Sequence, residues 1–240
     1  MISHHCNSKL AQSKQVMDSQ LNFQITEAYK AVRTNIMFSL ISDGCKKIVI
    51  SSSLAGEGKT TTAVHTAISL AQVNKKILLI DADLRKPKIH QFFNTKNTPG
   101  LTNYLAHMAD LGNIIHSTSY KNLSLLCSGA TVPNPSELLA SVKMTDLLNC
   151  LAKEFDYIIM DTPPINVVVD ALPLIKQSDG VVLVAREGSS TYPELNKTIK
   201  EIEVINAKIL GIILNGIVSK GKGGYGYKSY GYGNYGTYGY

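Results

Sequence analysis

Residues 51–62 read SSSLAGEGKTTT, with Gly56 and Gly58 set just ahead of Lys59 and Thr60. Glycines so placed let the backbone bend until successive N–H groups point at one spot, a geometry that holds phosphate oxygens. A lysine directly after them can reach the outer phosphates of a nucleotide, and a threonine hydroxyl can ligate Mg²⁺. Ala55, Gly56, Glu57, Gly58, Lys59, Thr60 and Thr61 are therefore the expected nucleotide contacts. The pattern departs from G-x-x-x-x-G-K-[ST] at one place, where Ser53 replaces the first glycine. An ordinary glycine-rich turn would not need Lys-Thr here.

Two acidic strand ends agree with that loop. ILLIDADLRKP carries Asp81 and Asp83 two residues apart, on the same side of an extended chain, and FDYIIMD ends at Asp161. Magnesium takes hard oxygen ligands and keeps several waters, so Thr60, Asp81 and Asp161 are the expected metal residues. Three carboxylates exceed what one ion needs, which leaves one to take a proton or orient a nucleophile. Lys59, Asp81, Asp83 and Arg85 form the expected catalytic set. The plainer alternatives are a helix cap or solvated loop end for Asp81 and Asp83, and a structural salt bridge for Arg85. No N-K-x-D guanine signature occurs, which favours adenine and hence ATP. Asn215, closing ILGIILNG, reads as an adenine contact or a turn residue.

Residues 219–240 differ from everything before them, with eight Gly, seven Tyr and three Lys. Lacking aliphatic residues, the segment would lose more entropy on ordering than it could recover, and it reads as a disordered tail. Its tyrosines, Tyr225, Tyr227, Tyr230, Tyr232, Tyr235, Tyr238 and Tyr240, are flanked mostly by glycine, which keeps each one accessible. Fully extended, the tail reaches about 75 Å, and as a coil it averages roughly 25 Å.

The elements that must position these groups follow from periodicity. Apolar residues at Ile25, Tyr29, Val32, Ile36 and Leu40 mark one helix face, ended by Asp43-Gly44. KKIVISSS, KKILLIDAD, NLSLLCSG, FDYIIMDTPP, DGVVLVARE and KILGIILNGIV read as six strands, short and rich in Ile, Leu and Val. Such strands are buried on both faces, and they alternate here with helices, including one expected over PNPSELLASVKMTDLLNCLAKE. The fold class is α/β, a mostly parallel sheet between helices of the phosphate-loop NTPase kind. Ligands bind such sheets at the carboxyl ends of the strands, where the motifs fall. Three segments are expected: a flexible one over 1–22, a catalytic domain over 23–218 and the tail over 219–240.

With 240 residues the chain can build one large core, and its net charge of +6 is a mild basic bias, half of it from Lys220, Lys222 and Lys228. That balance favours anionic surfaces without singling out nucleic acid, and none is expected as a partner. No apolar run is long enough to span a membrane, and no secretory signal opens the chain. Cys6, Cys45, Cys127 and Cys150 lack C-x-x-C spacing, which argues against a zinc site and for a reducing cytoplasm. Cys127 and Cys150 are expected to pack as small hydrophobes, and His4-His5-Cys6 reads as a frayed terminus rather than a metal site.

Taken together, the 48–87 block, PNPSELL, FDYIIMDTPP and the tyrosine-rich end resemble the bacterial tyrosine kinases of capsular and extracellular polysaccharide synthesis, from about Glu27 to Tyr240. The resemblance implies an autophosphorylating ATP:tyrosine kinase that uses ATP and Mg²⁺. It also implies a transmembrane chain-length regulator as activator, a cognate tyrosine phosphatase, and a place at the inner face of the plasma membrane. These kinases carry E-x-x-R-x-x-R in a helix that helps build a ring of subunits. Here the residues are Glu27, Lys30 and Arg33, and lysine at the middle position keeps the charge but loses bidentate geometry. A solvated helix face with Glu27 and Lys30 paired is the alternative. Partition ATPases, the nearest rivals, carry an extra lysine where Leu54 stands here and lack a tyrosine tail. A scaffold whose Gly-Tyr tail drives condensation is a further alternative.

Overall fold

KKIVISS forms β1 (Lys46–Ser52), buried throughout except at Lys47. Around it a computed structural model, which describes residues 23–217, arranges a seven-stranded sheet. The other strands are β2 (Ile77–Asp81), β3 (Ile115–Ser117), β4 (Leu123–Leu126), β5 (Tyr157–Asp161), β6 (Gly180–Arg186) and β7 (Ile209–Asn215), in the order β3-β4-β2-β5-β1-β6-β7. All neighbours pair in parallel except β3, which runs antiparallel to β4 at one edge. The expected N-terminal segment and the tyrosine tail lie outside the described residues.

Alternation along the strands divides the core in two. Ile48, Ile50, Ile77, Leu79, Ile159, Val182 and Val184 face a layer built from α1 (residues 23–39) and α2 (Lys59–Ala71), with Ile89 of the short α3 (Ile89–Phe92). Val49, Leu78, Ile80, Ile158, Met160, Val181 and Leu183 face the opposite layer. That layer comprises α4 (Leu101–Leu105), α5 (Pro135–Leu139), α6 (Val142–Leu151), α7 (Leu172–Lys176) and α8 (Tyr192–Val204). A two-residue repeat that is apolar at both phases has this outcome: each face of the sheet needs its own cover.

Four features depart from the sequence-based expectation. The short β3 is half-exposed and carries too few residues to show a period. β7 is not buried on both faces; Ile212 and Leu214 stand about half exposed along this edge strand. Cys127 is buried as expected, but Cys150 is exposed on α6. The long helix expected over 133–154 is two helices. Ser141 adopts an extended backbone (φ −68°, ψ 152°) and its hydroxyl accepts a hydrogen bond from the Met144 N–H at 3.2 Å, which starts α6 afresh. An N-cap of this kind satisfies an amide that would otherwise lack a partner. Replacing Ser141 with Ala should therefore cost about 1 kcal/mol of stability, read as a lower urea midpoint at unchanged slope.

Candidate active site

The phosphate loop follows directly from the end of β1, and the hydroxyls of its serines all serve inside the protein. Ser51 donates to Pro163 O at 2.9 Å, Ser52 donates to Leu54 O at 2.7 Å, and Ser53 accepts from the Thr198 hydroxyl at 2.9 Å. The chain after β5 runs alongside: Thr162, Ile165 and Asn166 donate their N–H groups to the carbonyls of Ile50, Ser52 and Ser53. This is the structural use of DTPP, whose prolines keep the strand extended past Asp161. Gly56 and Gly58 have φ of 86° and 94°, in the left-handed region that glycine adopts without steric cost. A Cβ on Gly58 would lie 2.0 Å from Asn215 Nδ2, so this glycine is also needed for close approach.

Three carboxylates meet this loop at the ends of β2 and β5. Asp81 and Asp161 are register partners on adjacent parallel strands, and both are buried. Asp81 Oδ2 accepts from the N–H groups of Lys88 at 3.1 Å and Ile89 at 3.0 Å, while its Oδ1 is buried without a partner among the described residues. Asp83 Oδ1 accepts from the Lys86 N–H at 3.0 Å, and its Oδ2 pairs with Lys59 Nζ at 3.0 Å. Each of these two aspartates thus caps loop amides with one oxygen, as the plainer alternative expects, and turns the other to the site. Neither oxygen of Asp161 has a well-formed hydrogen bond.

Burial pushes the Asp161 carboxyl up to about 6, opposed by Lys59 and then by the Thr60 hydroxyl. Burial also pushes Asp81 up to about 7, with the Asp161 charge adding to it. Buried acid oxygens without protein partners beside the Thr60 hydroxyl are the donor set a hydrated divalent cation takes. No group of three or more His, Cys, Asp or Glu among the described residues forms a ready cage. The donors therefore fit an ion that arrives with nucleotide and keeps its waters, not a resident one.

The remaining expected residues divide. Arg85 forms a fork onto Asp170, with Nε to Oδ2 at 2.6 Å and Nη2 to Oδ1 at 3.0 Å, the structural salt bridge that was its alternative. Asn215 Nδ2 donates to Glu57 O at 3.1 Å and Oδ1 accepts from the Gly216 N–H at 2.8 Å, so both ends of the carboxamide serve the loop and the turn. Glu57 is wholly buried, and its carboxylate accepts from the Leu54 N–H at 2.8 Å and from the Ser190 hydroxyl. Glu27 and Lys30 pair at 2.7 Å on the exposed side of α1, whereas Arg33 donates to Ser69 O at 2.9 Å and docks α1 on α2. Asp170, Arg186 and Ser190 were not singled out from the sequence. Each acts through a partner distant in the chain, so no local pattern marks it.

Comparison with known proteins decides what this site belongs to. An AAA domain family model matches residues 45–212. The chain is 42% identical over 204 residues to the tyrosine-protein kinase CpsD of Streptococcus agalactiae, covering 84% of this chain and 88% of that protein. The chain belongs to the bacterial tyrosine-protein kinases. A second relative, the tyrosine-protein kinase YwqD of Bacillus subtilis, is 40% identical over 79% of this chain and 80% of its own length. Among solved structures, the kinase domain of Escherichia coli tyrosine kinase ETK superposes with a TM-score of 0.79 at 33% identity, covering 84% of this chain and 79% of that one. The phosphate loop of this tyrosine kinase is thus a site for ATP, and no helix among its described residues is long and apolar enough to cross a membrane.

The buried acids make the ligand-free kinase sensitive to pH. The native Asp161 carboxyl keeps its proton to about pH 6, while the unfolded chain releases it near the ordinary value of 3.8. The native state therefore binds more protons between those values, and stability falls as pH rises through that window. Asp161→Asn should remove the penalty. We expect it to stabilise the nucleotide-free kinase by up to about 3 kcal/mol at pH 7.5 and to have little effect at pH 4, read by thermal melts. A variant less stable than the parent at pH 7.5 would contradict this account.

Proposed function

We propose that the catalytic domain over 23–218 transfers the γ-phosphoryl group of ATP to the tyrosines of the 219–240 tail, and that this modification regulates capsular or extracellular polysaccharide synthesis and export. The observation that carries the proposal is the convergence of Lys59, Asp83, Asp81 and Asp161 at one end of β2 and β5, with a buried Asp81 oxygen left free.

Phosphoryl transfer to a phenol is mainly positioning and charge neutralisation. The loop N–H groups and Lys59 would hold the phosphates, and Lys59 must then exchange Asp83 for them. Mg²⁺ would supply charge neutralisation across the phosphates, and Thr60, Asp81 and Asp161 are the residues that would hold it, Thr60 through its hydroxyl and the two aspartates through water. A tyrosine phenol titrates near 10, about three units above neutrality, and needs help to lose its proton. Asp81 is the proposed acceptor or orienting group. Its Oδ1, buried without a hydrogen-bond partner among the described residues, is the acceptor that the geometry offers for that proton. Arg85, held by Asp170, would keep the Asp83 loop in place.

The proposal extends to assembly and location. Glu27, Lys30 and Arg33 would contribute to a ring of subunits, for which Glu27 and Lys30 would have to trade their own pairing on the exposed face of α1 for contacts to a neighbour. A transmembrane chain-length regulator would activate the kinase and hold it at the inner face of the plasma membrane, and a tyrosine phosphatase would reset it. Seven phosphates would carry the tail from +3 to about −8 to −11, so tails that meet would repel and the ring would open.

Incubating the full chain and its activator with labelled ATP tests the transfer. Label should map to Tyr225–Tyr240 and disappear in Lys59→Met, and hydrolysis of ATP without phosphotyrosine would point instead to a partition-like ATPase. Sizing the phosphorylated and dephosphorylated forms with the activator tests the ring: the phosphorylated form should run smaller, and equal sizes would refute the opening.

A further inference from the structure

Four side chains hold the phosphate loop from outside the nucleotide's side. Arg186, the last residue of β6, donates from Nη1 to Gly56 O at 3.1 Å. Asn215, the last residue of β7, donates to Glu57 O at 3.1 Å. Across a planar trans peptide the carbonyl and the following N–H point in opposite directions. Holding the Gly56 and Glu57 carbonyls toward β6 and β7 therefore turns the N–H groups of Glu57 and Gly58 the other way, into the concavity of the loop. These two amides precede Lys59, where phosphate oxygens are held in loops of this kind.

The third and fourth members lock the turn between. The Glu57 carboxylate accepts from the Leu54 N–H and closes the loop on itself, as a backbone carbonyl would in a tight turn. Its other oxygen accepts from the Ser190 hydroxyl, which in turn accepts from the Arg186 N–H at 2.6 Å. With both oxygens taken inside the protein, this buried carboxylate does not reach toward a ligand. A fully buried acid is tolerated when such donors replace water.

We infer that Glu57, Arg186, Ser190 and Asn215 are positioning residues that keep the phosphate loop in its phosphate-ready form before nucleotide arrives. This rests on the reading of the loop as an ATP site and gives it a preorganising partner at the ends of β6 and β7. Affinity for the phosphates then depends on residues that never touch them, and affinity for the nucleoside does not.

The test is calorimetric binding of Mg-ADP and of adenosine to the full chain. Arg186→Ala should weaken Mg-ADP roughly tenfold and Ser190→Ala several-fold, each with adenosine affinity unchanged. Glu57→Ala risks misfolding, so the two surface-side variants carry the test. Mg-ADP binding equal to the parent in both Arg186→Ala and Ser190→Ala would overturn the inference, as would an equal loss of adenosine and Mg-ADP. Failure of the unmodified chain to bind Mg-ADP would instead remove the nucleotide reading on which it rests.

Discussion

Like charges crowded at the ends of two adjacent strands set the terms for the rest of this molecule. Parallel pairing in register brings Asp81 and Asp161 side by side, and the two-residue step along the chain adds Asp83. Burial removes the water that would screen them. Left alone, such a cluster opposes folding. It persists because Lys59 meets Asp83, backbone amides meet Asp81 and Asp83, and the hydrophobic layers on both faces supply the stability that the cluster subtracts. The energetic strain sits where a phosphate-bound cation would relieve it, which is a common location for strain in enzymes.

The same crowding explains the architecture around it. The acids must come from neighbouring strands, so β2 and β5 must pair directly and in register. The loop must then arrive from the next strand over, β1, which pairs with β5 on its other side. A helix has to begin at Lys59 so that its lysine starts within reach of Asp83. β2 and β5 are apolar up to their final aspartates, and β1 is apolar over Ile48–Ile50, because these stretches lie in the dry core.

Much of this was legible in the sequence, and the parts that were not share a cause. The glycine-lysine-threonine loop and the aspartates at strand ends are short-range patterns whose chemistry follows from spacing. Six of the seven strands declare themselves by short segments rich in Ile, Leu and Val. What spacing does not carry is the partner of a side chain far along the chain. Arg85 meets Asp170 across 85 residues, and Glu57 meets Ser190 across 133. Sequence placed Glu57 among nucleotide contacts because it stands in the loop; packing turns its carboxylate inward. Ser141 illustrates the local version: one hydroxyl caps a new helix and divides an apolar pattern that otherwise reads as continuous.

β7 ends at Asn215, whose carboxamide rests on the phosphate loop, and Tyr225 follows ten residues later. Under the proposed transfer, Tyr225 would be an acceptor tied by the chain to a point beside the nucleotide site. Ten residues of linkage would then set an effective tyrosine concentration of about millimolar order at the nucleotide phosphates, whatever the abundance of the protein. A weak contact between phenol and cleft would then suffice, because supply would be fixed by chain connectivity. Saturation, which for a free substrate depends on affinity, would become a property of covalent topology.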